Sequence, residues 1–269
     1  MRPVRLRQRF LEKVWGAHSL APLYPDSSKK IGEVWFEASE ELPLLIKFIF
    51  TSEKLSVQVH PGDEYAARHE NSRGKTEMWH VVRAESGASL AVGFREEISR
   101  ERLREASLSG EIERLLAWRE VAPGDTYFVP AGTVHAIGAG LTVAEIQQQS
   151  DITYRLYDYG RPRELHLDKG AEVAHLGPHP GRQVPRTTSD GALLLAECPY
   201  FRTESWSADS VREIPPTPGQ PQFVIFLEGN GRLAGEPFEA GEAWMIPDGG
   251  GGCPLDPSAP ARFLRTWVP

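Results

Sequence analysis

Two short stretches of this chain carry side chains that bind metal ions, placed where a strand ends. Leu-Ser-Val-Gln-Val-His at 55–60 alternates strictly, so Leu55, Val57 and Val59 share one strand face and Ser56, Gln58 and His60 the other. A strand with packed protein on both sides reads as continuously apolar, whereas this one sends an amide and an imidazole into the same space. Seventeen residues beyond His60, Lys75-Thr-Glu77 opens a further strand-like run and adds a carboxylate. The second stretch is spaced as a turn: Gly124, five residues, Pro130, one residue, Gly132, two residues, His135. Gly permits turn conformations that a β-carbon forbids, and Pro fixes φ while removing a ladder donor. A lone histidine is ordinarily a packing residue. Two of them at strand ends, with Gln58 and Glu77, imply a metal site.

The elements that must position these groups are mostly short β-runs: Gly32–Glu37, Leu44–Phe50, Thr142–Gln147, Thr153–Tyr157, Leu193–Glu197 and Phe201–Trp206, separated by Gly, Pro, Asn and Asp turns. That pattern predicts an all-β fold of antiparallel sandwiches or jelly rolls. Within it lies a diverged repeat. Val81–Gly87 resembles Phe223–Gly229, and Gly124–Gly132 resembles Gly241–Gly249 with the Gly, Pro, Gly spacing unbroken. Aligned this way, Gly252 stands at the place of His135 and Gly219 at the place of Glu77. The first copy therefore carries the site, and the second is structural or supports an interface. A charged amphipathic insertion, about 96–118, lengthens the first copy and reads as one or two helices walling the site or covering a sheet edge. The Pro-, Gly- and His-rich segment 177–190 reads as the connector, with His175 and His179 near it.

At 269 residues the chain is one large or two small domains, with 40% apolar and 25% charged residues, as in soluble globular proteins. No apolar run approaches the ~20 residues of a membrane helix, the N-terminus has no secretory pattern, and a cytoplasmic location is expected. Cys198 and Cys253 are too few for a disulfide framework. The net charge of −7 argues against a broad nucleic-acid surface, though not against a small anionic substrate.

Taken together, the motifs resemble those of type I mannose-6-phosphate isomerases of the cupin superfamily, in their short bacterial form. The resemblance runs through Trp15-Gly16, Gly32-Glu33-Val-Trp35, the 55–61 run, Lys75-Thr-Glu77-Met-Trp79, the Pro130–His135 turn, and Glu145 through Arg155-Leu-Tyr-Asp158-Tyr. It implies two cupin barrels: a catalytic domain over residues 1–180, carrying the helical insertion, and a second, ligand-free one over 190–269. It also implies one zinc ion per chain on Gln58, His60, Glu77 and His135, with Arg155 in the family's catalytic arginine position. Most cupins have His-x-His where this chain has Gln-x-His, a departure characteristic of these isomerases.

The implied reaction moves a proton between C1 and C2 of a phosphorylated hexose through a cis-enediol, converting mannose 6-phosphate to fructose 6-phosphate. Arg155 stays charged and so stabilises the enediolate or orients the sugar oxygens rather than acting as base. Glu145, on a strand face with Val143 and Gln147, is the first choice for the base, ahead of His80 and Asp151; alternation sets His80 opposite Glu77. Lys75, facing the same way as Glu77, holds a hydroxyl, tunes the base, or pairs with a carboxylate. Arg161 and Arg163 are candidates for the phosphate, Ser56 for the phosphate or a hydroxyl, and Trp15 and Trp35 for packing or sugar stacking. Two alternatives stay open: another metal-dependent cupin enzyme, such as an iron oxygenase, and a non-catalytic sugar-binding or regulatory cupin. The oligomeric state is open between monomer and homodimer.

Overall fold

The computed structural model describes residues 2–217, 219–249 and 251–269. Four antiparallel sheets are stacked, and the burial of alternate residues shows how. The six-stranded sheet runs in the order Arg7–Ala17, Ile31–Glu37, Leu44–Phe50, Leu141–Gln148, Glu77–Ala84, Thr126–Val129. One of its faces meets the five-stranded sheet (Tyr154–Tyr157, Val57–Val59, His135–Ile137, Ser89–Phe94, Leu116–Glu120) over a core that includes Ile49, Trp79, Val81, Leu90, Val92 and Tyr127. Its other face packs Phe36, Phe48, Ala144 and Ile146 against Leu195, Phe201, Phe223 and Leu264 of the seven-stranded sheet. The seven-stranded sheet in turn encloses Trp206, Phe226, Trp244 and Phe263 with Ile214, Leu233 and Leu255 of the four-stranded sheet. The strand Val4–Arg5 belongs to the seven-stranded sheet, pairing with Ala243–Ile246. The opening of the chain therefore stitches the two sandwiches together.

All six β-runs read from the sequence are strands, Leu44–Phe50 and Leu193–Glu197 with the expected bounds and the other four shifted by one or two residues at one or both ends. The insertion is helical over Arg100–Ser109 and Ile112–Leu115, with Ser99 capping the first helix through a hydrogen bond from Arg102 N. It does not stay helical to Trp118: Leu116–Glu120 is an edge strand of the five-stranded sheet, paired with Ser89–Phe94. Two short helices, Asp63–Glu70 and Leu167–Val173, were not legible in the apolar periodicity.

The repeat is real, but its register differs from the sequence alignment. Gly124 N donates to Val81 O and Val81 N to Asp125 O, at 2.8 and 2.9 Å; Gly241 N donates to Phe226 O and Phe226 N to Glu242 O at the same distances. Val81 thus corresponds to Phe226, not Phe223. The ladders agree: Glu77 lies across from Val129, and Gln222 across from Ile246. Gln222, not Gly219, holds the place of Glu77. A glycine-anchored alignment follows turn composition, and the turn after Gln222–Glu228 comes three residues earlier than its counterpart. At Gly252 an added β-carbon would lie 1.6 Å from Glu213 Oε1, so the Glu213 side chain occupies the space beside this glycine.

Candidate active site

Three backbone ties draw the ligand-bearing segments together. Gly132 N donates to His60 O at 2.8 Å, Lys75 N to Pro61 O at 3.0 Å, and Ala131 N to Thr76 Oγ1 at 3.2 Å. Gly132 itself has φ +86°, and a β-carbon there would press to 2.9 Å from Val173 O. The turn that aims His135 therefore requires glycine.

The result is a buried group. One ligand atom from each of His60, Glu77 and His135 lies within 4.8 Å of the others, and all three residues are buried. Each imidazole has its Nδ1 engaged by a carbonyl, His60 with Ile152 O at 2.7 Å and His135 with Thr133 O at 2.8 Å. A carbonyl can only accept, so Nδ1 carries the proton and Nε2 keeps its lone pair. His135 Nε2 is 3.4 Å from one Glu77 oxygen and His60 Nε2 is 3.6 Å from the other. Burial pushes His135 down to about 3 and His60 well below the ordinary imidazole value, which keeps both rings neutral. Burial, with Glu145 second, raises Glu77 to about 7.

This group fits a cation. Glu77 Oε1 is buried without a hydrogen-bond donor, and the Lys75 ammonium stands 3.0 Å from His60 Nε2 and 3.0 Å from Glu77 Oε2. A positive charge is already drawn to the same lone pairs. Gln58 stands beside the group: its amide is 3.3 Å from His135 Nε2, and its Oε1 accepts from Ser56 Oγ at 3.2 Å. Turning the amide over presents the oxygen to the group, with Ser56 then accepting.

Register places the remaining residues. In the five-stranded sheet Gln58 pairs with His135 on one side and Arg155 on the other, so the three form a row on one face. In the six-stranded sheet the row is Trp35, Lys47, Glu145, Trp79. Together these rows bound a cavity of about 300 Å³, whose lining includes Lys13, Trp15, Glu33, Lys47, Ser56, Gln58, Lys75, Glu145, Asp151, Thr153, Arg155 and Arg163. Of its lining side chains five are cationic and three acidic, so the cavity favours an anion although the chain is negative overall.

Glu145 is buried, accepts from Trp79 Nε1 at 2.8 Å, and meets Lys47 Nζ at 2.6 Å. Burial opposes its ionisation, but Lys47 and Lys75 outweigh burial and hold it down to about 2. Lys47 also reaches toward Glu33 at 3.8 Å, and Glu33 is 3.1 Å from Lys13. Arg155 donates to Glu164 O, and its Nε is buried without a partner. Arg163 lines the cavity and forks onto Asp158 at 2.5 and 2.7 Å. Arg161 is not among the lining residues: it donates to Lys54 O and Asp158 O. His80 is hydrogen-bonded to Thr126 and lies opposite Glu77, as the alternation predicted. His179 bonds Phe128 O, and neither it nor His175 joins the ligand group.

Sequence reasoning missed Lys47, Lys13 and the role of Glu33 in the lining. The signal for Lys47 was present: one lysine inside the otherwise apolar Leu44–Phe50 must be buried, and a buried ammonium needs carboxylate partners.

A four-layer antiparallel β fold with a buried cation-seeking group, joined through Gln58 and Lys75 to an anion-favouring cavity, defines a metal-site enzyme of the β-sandwich class. No family model matches the chain. Curated relatives do. The chain is 34% identical to mannose-6-phosphate isomerase ManA of Bacillus subtilis, over 92% of this chain and 93% of that protein. It is 36% identical to the mannose-6-phosphate isomerase of Streptococcus mutans, over 80% and 69%. Among solved structures it is similar to the mannose 6-phosphate isomerase of Bacillus subtilis, with TM-score 0.88, 27% identity and 99% of both chains covered. A variant of the Salmonella typhimurium phosphomannose isomerase, 16% identical, shares the fold at TM-score 0.80. The chain belongs to the mannose-6-phosphate isomerase family.

Proposed function

We propose that this enzyme interconverts mannose 6-phosphate and fructose 6-phosphate, with one zinc ion on His60, Glu77, His135 and Gln58. The observation that carries the reading is the pair of facing rows, Arg155–Gln58–His135 and Lys47–Glu145, over the buried ligand group. When bound, zinc supplies Lewis acidity toward sugar oxygens without redox chemistry.

The chain's own residues supply the proton transfers. The Glu145 carboxylate takes the proton from C2 of the open-chain aldose. The C–H electron pair becomes the C1–C2 double bond, and the C1 carbonyl oxygen takes up negative charge. Arg155, whose Nε lacks a partner within the protein, donates to that oxygen; a preorganised donor of this kind is worth ~10²–10³ in rate. The C2 hydroxyl proton then passes to O1, Glu145 returns the proton it took to C1, and the C2 oxygen becomes the ketose carbonyl. Lys47 controls this base, because an ammonium 2.6 Å from Glu145 keeps it ionised but weakly basic. When Lys47 turns toward a sugar oxygen, Glu145 regains basicity. Lys75 and Ser56 orient sugar hydroxyls, and Arg163 serves the mouth of the cavity.

We place the catalytic unit in residues 1–180 and a second, ligand-free unit in 190–269, each a cupin barrel, with Val4–Arg5 crossing to the second. The enzyme acts in the cytoplasm, as a monomer or homodimer, with a phosphorylated hexose as its partner.

The test is incubation of the zinc-loaded protein with mannose 6-phosphate in heavy water. Fructose 6-phosphate with deuterium at C1, and recovered mannose 6-phosphate with deuterium at C2, are expected. No product and no exchange under zinc-replete conditions would leave a sugar-binding protein instead.

A further inference from the structure

The Trp15-Gly16 and Gly32-Glu33 motifs have no role in the proton transfers, yet their geometry is specific. The pairing of Arg7–Ala17 with Ile31–Glu37 is broken between Glu12 and Ala17, both of which lie across from Ile31. Residues 13–16 therefore bulge out of the ladder. Bulges next to active sites re-aim side chains, and this one sends both Lys13 and Trp15 into the cavity. The two glycines make room for it. A β-carbon on Gly32 would lie 2.5 Å from Lys13 Cβ and Cγ and 2.8 Å from Trp15 Cζ3, and one on Gly16 would lie 2.6 Å from Gly32 N. The bulge is anchored by Lys13 N donating to Lys30 O, and by Ser52 N and Glu53 N donating to Trp15 O.

We propose that Lys13 binds the phosphate of the substrate from the six-stranded-sheet side of the cavity mouth, an inference that rests on the isomerase reading. The phosphate lies at the far end of the hexose from C1 and C2, so it must sit away from the buried ligand group. Of the five cations lining the cavity, Lys47 and Lys75 are buried against carboxylates, and Arg163 is forked onto Asp158. Lys13 differs. Its side chain is 35% exposed, its stem is clamped over Gly32, and its ammonium spends one contact on Glu33 at 3.1 Å. An ammonium has three donors, which leaves two for phosphate oxygens, with Arg163 also in the lining.

The experiment compares Lys13→Met and Lys13→Arg with the wild type, all zinc-loaded. It measures KM and kcat for mannose 6-phosphate and competitive inhibition by inorganic phosphate. Loss of a charge-assisted hydrogen bond should raise KM and the phosphate inhibition constant by roughly 10- to 100-fold. The turnover number should stay within about threefold, since uniform binding is what is lost. Lys13→Arg should recover most of both. Arg9→Met, on the same strand but outside the lining, is the control and should match the wild type. Unchanged KM and phosphate inhibition in Lys13→Met would overturn the proposal, as would a fall in kcat at constant KM. An inactive wild type would instead defeat the isomerase reading, and phosphate binding measured by calorimetry would then still test Lys13.

Discussion

Glu145 and Arg265 hold the same place in two matching ladders and carry opposite charge. Glu145 lies between Lys47 and Trp79, and Arg265 between Glu204 and Val224, whose neighbours continue in the same register. The Lys47–Glu145 pair of one sandwich is thus inverted to Glu204–Arg265 in the other. There each guanidinium nitrogen is engaged, donating to Gln222 at 2.5 Å, Glu204 at 3.2 Å and Pro215 O at 3.0 Å. Gln222, in the place of Glu77, is consumed by that network.

Arg265 should therefore matter for stability and not for chemistry. Both partners are buried, and removing one member of such a pair costs about 3–5 kcal/mol. Urea unfolding of Glu204→Gln should show a loss of that order, with metal content and activity per folded molecule retained. Loss of bound metal in the folded variant would show that the second sandwich also serves the site.

Lys47 should tune the base. Because Lys47 lowers Glu145 against the opposing effect of burial, its removal raises the carboxyl. In Lys47→Met the acid limb of the kcat/KM profile should move to higher pH, and turnover should fall. An unmoved acid limb would mean that Glu145 is not the group whose ionisation is read.

Lys75 competes with a metal ion for His60 Nε2 and Glu77 Oε2. Lys75→Met should bind zinc more tightly in a chelator competition while losing most turnover. Weaker binding would show that Lys75 supports the ligand group rather than opposing it.

The two ligand histidines predict a pH dependence for the metal-free protein. Their folded values lie below the ordinary 6.5, His135 at about 3, because burial disfavours the charged rings. A depressed value means that the unfolded chain binds the extra protons. This contribution is complete above about pH 6.5 and fades as pH falls toward about 3. Urea midpoints of the metal-free protein should rise between pH 5 and 7, and rise less in His135→Gln. Equal slopes in the two proteins would contradict the assignment.

The ligand residues were legible because each sits where alternation meets a Pro or Gly turn, a local pattern that needs no knowledge of the partner strands. Glu145 was legible as a face, but not as a carboxylate held down by Lys47, because that pairing spans about a hundred residues of chain. Lys13 was hidden by a bulge, which changes where a side chain goes without changing residue spacing. The repeat was visible yet misaligned by three residues, since glycines mark turns and backbone hydrogen bonds mark register. Trp118 read as helical because a short edge strand following a helix has no periodicity of its own.

The most direct test is an anomalous difference map at the zinc edge from crystals of the zinc-loaded protein, together with His135→Ala and Arg155→Ala. The wild type should show one strong peak, with His60 Nε2, His135 Nε2, a Glu77 oxygen and Gln58 Oε1 at roughly 2.0–2.2 Å. The peak should persist in Arg155→Ala and vanish in His135→Ala. A wild-type peak elsewhere, or one that survives the loss of His135, would contradict the account.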